Sequence, residues 1–209
     1  MYYVKSFEED FYTKTIIKTK KEKFQSIEDI IETKIIRPNT LSFGVEQRLS
    51  TTILSKDYIK SYRPQGVIFT TEKKPDYVMP FDLVVLSNVD NVIVHYYRIK
   101  DNIHFYYNHQ LIEGFDKFIF KNFNAMVKRF PTPDDTWNTV NKFREKSGYK
   151  KLANTKKRLF QYNEAVFHSD VPIKPVAIFG YKKEARLKAK ELGLEYFRSA
   201  SEFLKKYGK

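Results

Sequence analysis

The chain has 209 residues, 42% hydrophobic and 16% aromatic, a composition that suits one domain with its own core and excludes wholesale disorder. It contains no cysteine, which excludes disulfides and thiolate-held metal sites. Its 38 Lys and Arg against 25 Asp and Glu give a formal charge of +13, a surplus that favours nucleic acid, nucleotides or another anionic partner.

Met1–Lys5 leads straight into Glu8-Glu9-Asp10 with no apolar leader, and no apolar run approaches the length of a membrane span. The expectation is a cytoplasmic protein without a membrane partner. Residues 1–19 read as an irregular start followed by a strand around Ile16 and Ile17. Phe24, Ile27 and Ile31 recur at helical spacing and predict an amphipathic helix over 21–34, closed by Pro38. Residues 39–65 are polar and mixed and read as a long loop with one helical turn; a loop that long is more often functional than idle.

A β-rich centre follows, with strands expected over 66–70, 81–86, 92–97 and 103–107 from their β-branched and aromatic content. Phe115, Phe118, Ile119, Phe123, Met126, Val127 and Phe130 predict one helix ended by Pro131 and Pro133, and Asp134 is a candidate cap for a further helix carrying Trp137 and Val140. The last third alternates: strands at 165–168 and 175–179, a helix over 182–192, a short strand at 195–197 and a final helix over 201–207. The fold class is α+β with a central, mostly antiparallel sheet flanked by helices.

Glu164 stands at the head of the apolar run Ala165-Val166-Phe167, where a carboxylate is unfavourable to bury unless it is paired or used. Lys157 or Lys174 could pair it, which would make it structural. Just upstream lie Lys150, Lys151, Lys156, Lys157 and Arg158, able to track a phosphate backbone, with Tyr149 available to stack on a base; a solvated loop explains the same residues. His95, His104, His109 and His168 form no ligand-spaced pair, so no metal is expected. Glycine-rich phosphate loops and the Gly-x-Ser-x-Gly elbow are absent from the sequence.

Three blocks carry a family resemblance: Phe11-Tyr12-Thr13-Lys14-Thr15 with the following helix and Ile35-Ile36-Arg37-Pro38; Asp76-Tyr77-Val78-Met79-Pro80-Phe81-Asp82; and Gln161-Tyr162-Asn163-Glu164-Ala165-Val166-Phe167 with Val171-Pro172. In this order they resemble the DarT-like ADP-ribosyltransferases, toxins that transfer ADP-ribose from NAD onto a base in single-stranded DNA. The resemblance implies one ADP-ribosyltransferase-like domain over 1–209 with a split sheet, NAD as co-substrate and nicotinamide as the released product. It implies Glu164 as the catalytic residue and an arginine before the Asp-Tyr-Val block as its partner, with Arg48 favoured and Arg63 the competitor or a cofactor contact. Thr13 or Tyr12 stands where the family carries a histidine that helps to hold NAD. An antitoxin protein that removes the mark is a further implied partner. Two other readings remain open: a nucleic-acid-binding protein without enzymatic activity, and an enzyme of the same fold that acts on RNA or protein.

Overall fold

A computed structural model describes residues 1–6, 25–40, 47–58, 65–81, 94–99, 102–107, 110–111, 115–146, 148 and 150–208. In chain order the first elements are β1 (Tyr2–Ser6), α1 (Ile27–Thr33), β2 (Ile35–Ile36), β3 (Asn39–Thr40), β4 (Gln47–Leu54), β5 (Gly66–Thr70) and β6 (Tyr77–Met79). Next come β7 (Val94–Ile99), β8 (Asn102–Tyr107), β9 (Gln110–Leu111), a 3-10 turn at Phe115–Phe118, α2 (Phe123–Arg129), α3 (Pro133–Lys146) and a 3-10 helix at Asn154–Phe160. The chain ends with β10 (Glu164–Phe167), β11 (Val171–Pro172), β12 (Lys174–Phe179), α4 (Lys183–Glu191), β13 (Glu195–Phe197) and α5 (Ala200–Tyr207). These elements divide into two compact units, Met1–Asp76 with Ala165–Lys209 and Tyr77–Glu164.

The first unit is a mostly antiparallel sheet flanked by helices, with strand order β13-β12-β5-β1-β4-β10 and β3 added beside β4. Alternation along the strands separates two cores, because successive strand residues face opposite sides. Val4, Leu54, Ile68, Phe179 and Phe197 meet Ala200 and Phe203 of α5 on one side. Val67 and Ile178 meet Ile27 of α1 and Ala185 and Ala189 of α4 on the other. Helix α4 connects β12 to its parallel neighbour β13, and Gly193, at φ 66, takes the left-handed conformation that ends the helix. Helix α5 begins on a reciprocal cap: the Ser199 hydroxyl accepts from the Glu202 amide, and the Glu202 carboxylate accepts from the Arg198 amide.

The second unit contains the meander β7-β8-β9 and a helical layer built on rings. Phe81 packs against Phe118 and Phe160 at centroid distances of 5.4 and 5.5 Å, and Trp137 meets Phe160 edge-on at 5.3 Å. Contacts of this kind add to what burial alone contributes.

Several expectations are corrected. The start of the chain is strand β1, not an irregular lead, since Tyr3 and Val4 are buried between β4 and β5. The stretch read as a long loop contains the eight-residue strand β4, buried from Leu49 through Leu54 except for half-buried Ser50. Thr51 and Thr52 look polar in composition, yet they are β-branched and suit a pleated interior. The helix expected over 115–130 is broken: Phe120 bridges to Val78, and the Asn122 side chain then caps α2 by accepting from the Ala125 amide. Helix α3 is capped by Thr132 and Asp135, not by Asp134: each backbone amide donates to the other side chain. Helix α1 is shorter than expected because Ser26 caps it at Asp29. The expected strand around Ile16 and Ile17, and positions 82–86 of the expected strand 81–86, lie outside the described residues.

Candidate functional site

The site region is built around β10, all four residues of which are buried. On one edge β10 pairs antiparallel with β4, setting Ala165 opposite Thr51 and Phe167 opposite Leu49. The Thr51 hydroxyl donates to the Ala165 carbonyl at 3.0 Å. Beside Val166, the Asp76 amide donates to its carbonyl at 2.8 Å. The Asp76 carboxylate accepts from the His168 amide at 2.8 Å, with the imidazole Nδ1 at 3.3 Å. Asp76 thus fixes the strand and its exit with both its main chain and its side chain.

The strand exit is held by a second contact. Lys34 ends α1 at φ 53 and turns the chain into β2, where Ile36 pairs with Val171 and Ile35 with Pro172. The Ile173 amide donates to the Lys34 carbonyl at 2.8 Å. Segments from all three blocks singled out in the sequence therefore meet: Ile35-Ile36 against Val171-Pro172, and Asp76 against Val166 and His168.

Glu164 opens β10 at 2% exposure, preceded by Asn163 and Tyr162, which are also buried. Lys157, one cation that could have paired it on sequence grounds, makes an ion pair with Asp134 at 2.9 Å. A carboxylate removed from water exerts a stronger field on charge forming beside it than an exposed one does.

The remaining candidates are placed unevenly. Arg48 lies in β4, its backbone paired with Asn39, one residue before Leu49. It therefore stands at the end of the β4–β10 ladder opposite to Glu164, and the ladder does not set the two side by side. Tyr12, Thr13, Arg63 and Tyr149 lie outside the described residues, and Arg48, Lys156 and Arg158 are described through their backbones alone.

The basic segment is an irregular stretch, 150–153, strapped to α3 and leading into the 3-10 helix Asn154–Phe160. Buried Arg144 donates from Nε to the Lys150 carbonyl at 2.8 Å, and one turn earlier the Asn141 side chain accepts from the Leu152 amide at 2.8 Å. Lys151 pairs with Glu145 at 3.0 Å, so Lys151 and Lys157 are both engaged with carboxylates of α3. Such exposed pairs are weak, and a phosphate can displace the carboxylate. The contributions of Thr51, Arg144 and Asn141 were missed in the sequence because each acts on a backbone group, for Thr51 one that is 114 residues away, and residue type does not announce such a bond.

Among the described residues no group of three or more His, Asp or Glu side chains could hold a metal ion, and no helix is long and apolar enough to cross a membrane. No protein-family profile, curated protein or solved structure matches the chain.

Proposed function

We propose that the protein is an NAD-dependent ADP-ribosyltransferase of the DarT-like kind, acting on a base in single-stranded DNA. The observation that carries this reading is the buried carboxylate of Glu164 at the head of β10, a strand held by Asp76 of the second resembling block. Ile35 and Ile36 of the first block secure the segment that follows it.

The chemistry suits that carboxylate. As the bond between ribose C1′ and nicotinamide breaks, nicotinamide leaves with the bonding pair and positive charge develops across the ribose ring. A fixed, desolvated carboxylate stabilises this oxocarbenium-like state and orients a ribose hydroxyl. A base nitrogen then attacks C1′ and gives up a proton as the new C–N bond forms. The positive surface attracts the DNA strand, and Lys150, Lys151, Lys156, Lys157 and Arg158 are the nearest basic run in sequence to Glu164. NAD would lie near Arg48, Arg63, Tyr12 and Thr13, and an antitoxin that reverses the mark would accompany the enzyme.

The test is incubation of the pure protein with adenylate-labelled NAD and single-stranded DNA, single-stranded RNA or protein. Label on DNA, released nicotinamide, and loss of both in Glu164→Gln are expected. Label appearing only on RNA or protein replaces the substrate, and salt-sensitive DNA binding with no transfer replaces the enzyme with a binding protein.

A further inference from the structure

Helix α4 carries a feature that the transferase reading does not use. Ala185 and Ala189 face inward against Val67 and Ile178. Lys183, Arg186, Leu187 and Lys190 follow i, i+3, i+4, i+7 spacing on the opposite side, within about 100° of arc, so they form one outward stripe. Leu187 is 55% exposed, and Tyr181, two residues ahead of the stripe, is 59% exposed.

The cations of this stripe differ from their neighbour. Lys188, on the flank of the helix, is paired with Glu28 at 2.7 Å and with Glu191 at 2.9 Å. Among the described residues no carboxylate pairs with Lys183, Arg186 or Lys190. Glu184 and Glu191 fall to one side of the arc, so neither interrupts it.

We propose that the outer face of α4 is a docking surface for single-stranded nucleic acid, with Lys183, Arg186 and Lys190 on the phosphates and Tyr181 stacking on a base. Charge complementarity selects this occupant: three unpaired cations spread over roughly 10 Å of helix suit a polyanion, and an exposed ring beside them suits bases. A membrane surface fits less well, because an interfacial helix needs an apolar face in the lipid and the apolar face of α4 is already buried in its own unit. The proposal needs neither NAD nor Glu164.

The test is fluorescence anisotropy of a labelled oligothymidine with the full chain, without NAD, over a series of salt concentrations. The triple variant K183Q/R186Q/K190Q is expected to bind at least about 10-fold more weakly at low salt, with the slope of log K against log salt reduced by about 2 for three lost phosphate contacts. Tyr181→Ala is expected to weaken binding about 5-fold or more with the slope unchanged. A control carrying the same charge loss elsewhere, K56Q/K74Q/K205Q, should keep the wild-type slope. Equal losses in stripe and control variants would overturn the proposal in favour of net charge alone. So would an unaltered stripe variant, or wild-type binding to phosphatidylserine–phosphatidylcholine vesicles in place of the oligonucleotide. Because NAD is absent, the result is independent of whether transfer occurs.

Discussion

Arg144 and Glu164 are both ionisable residues and both nearly inaccessible, at 4% and 2% exposure, yet they stand in different kinds of element. Arg144 lies inside a helix and reaches across to the Lys150 carbonyl, so it fixes where the basic segment leaves α3. Glu164 opens a strand whose backbone is already secured by Thr51 and Asp76. A buried charge that ties down main chain is part of the architecture. At Glu164 the main chain of the strand is held by Thr51 and Asp76, and the proposed transferase reading gives the carboxylate the catalytic role.

The sharpest way to break this contrast is to neutralise each residue without changing its size much. On the proposed transferase reading, Glu164→Gln should lower ADP-ribose transfer by about 10³-fold, the effect of removing a preorganised group that meets developing charge, with the protein still folded. Arg144→Met should do the reverse: a loss of roughly 2–4 kcal/mol in urea denaturation, with transfer retained below the lowered midpoint. If the glutamine variant unfolds and the methionine variant is merely inactive, the two roles have been assigned the wrong way round.

Parts of this contrast could be read from the sequence. The strand at β5, the helices α4 and α5 and the position of Glu164 at a strand head follow from short β-branched and apolar runs and from local helical patterning, signals contained within a few residues. Strand β4 escaped because Ser50, Thr51 and Thr52 break the apolar pattern, and their suitability for the interior depends on β1 and β10, distant in sequence. The break before α2 depends on Phe120 pairing with Val78, which no window of residues contains. Around the site, Glu164 and the Asp76 block were legible as residue types in order. That Asp76 and the 34–36 segment both hold the chain around β10 was not legible, because those contacts are made mainly by backbone groups.

A smaller effect tests whether β10 is held from outside, as the contrast requires. Thr51→Val keeps the β-branched shape and removes the hydroxyl that donates to Ala165, so it should cost about 1–1.5 kcal/mol in urea denaturation. Thr51→Ser should recover most of that loss. If valine is neutral, the strand pairing alone holds the carbonyl and Thr51 contributes only packing.

The smallest effect concerns a charge that is not buried, and it sets the scale for the others. Glu28 meets Lys188 at 2.7 Å with its side chain 41% exposed. Burial pushes the Glu28 carboxyl up, but hydrogen bonds from Lys188 and its own backbone amide, with the Lys188 charge, leave it below its ordinary value. Hydrogen bonds to Glu28 and Glu191 hold the Lys188 ammonium above its own. A depressed carboxyl adds stability that is complete above its unfolded value and disappears as pH falls through the folded one. A raised ammonium adds stability that is complete below its unfolded value and disappears as pH rises through the folded one. The pair therefore acts over the broad neutral range and fails at both extremes, and its exposure limits the contribution to about 0.5 kcal/mol. Glu28→Gln should lower the urea midpoint slightly at pH 7 and match wild type once acid has protonated the native carboxyl. A deficit that persists in acid would trace to side-chain shape at the α1–α4 contact instead of charge.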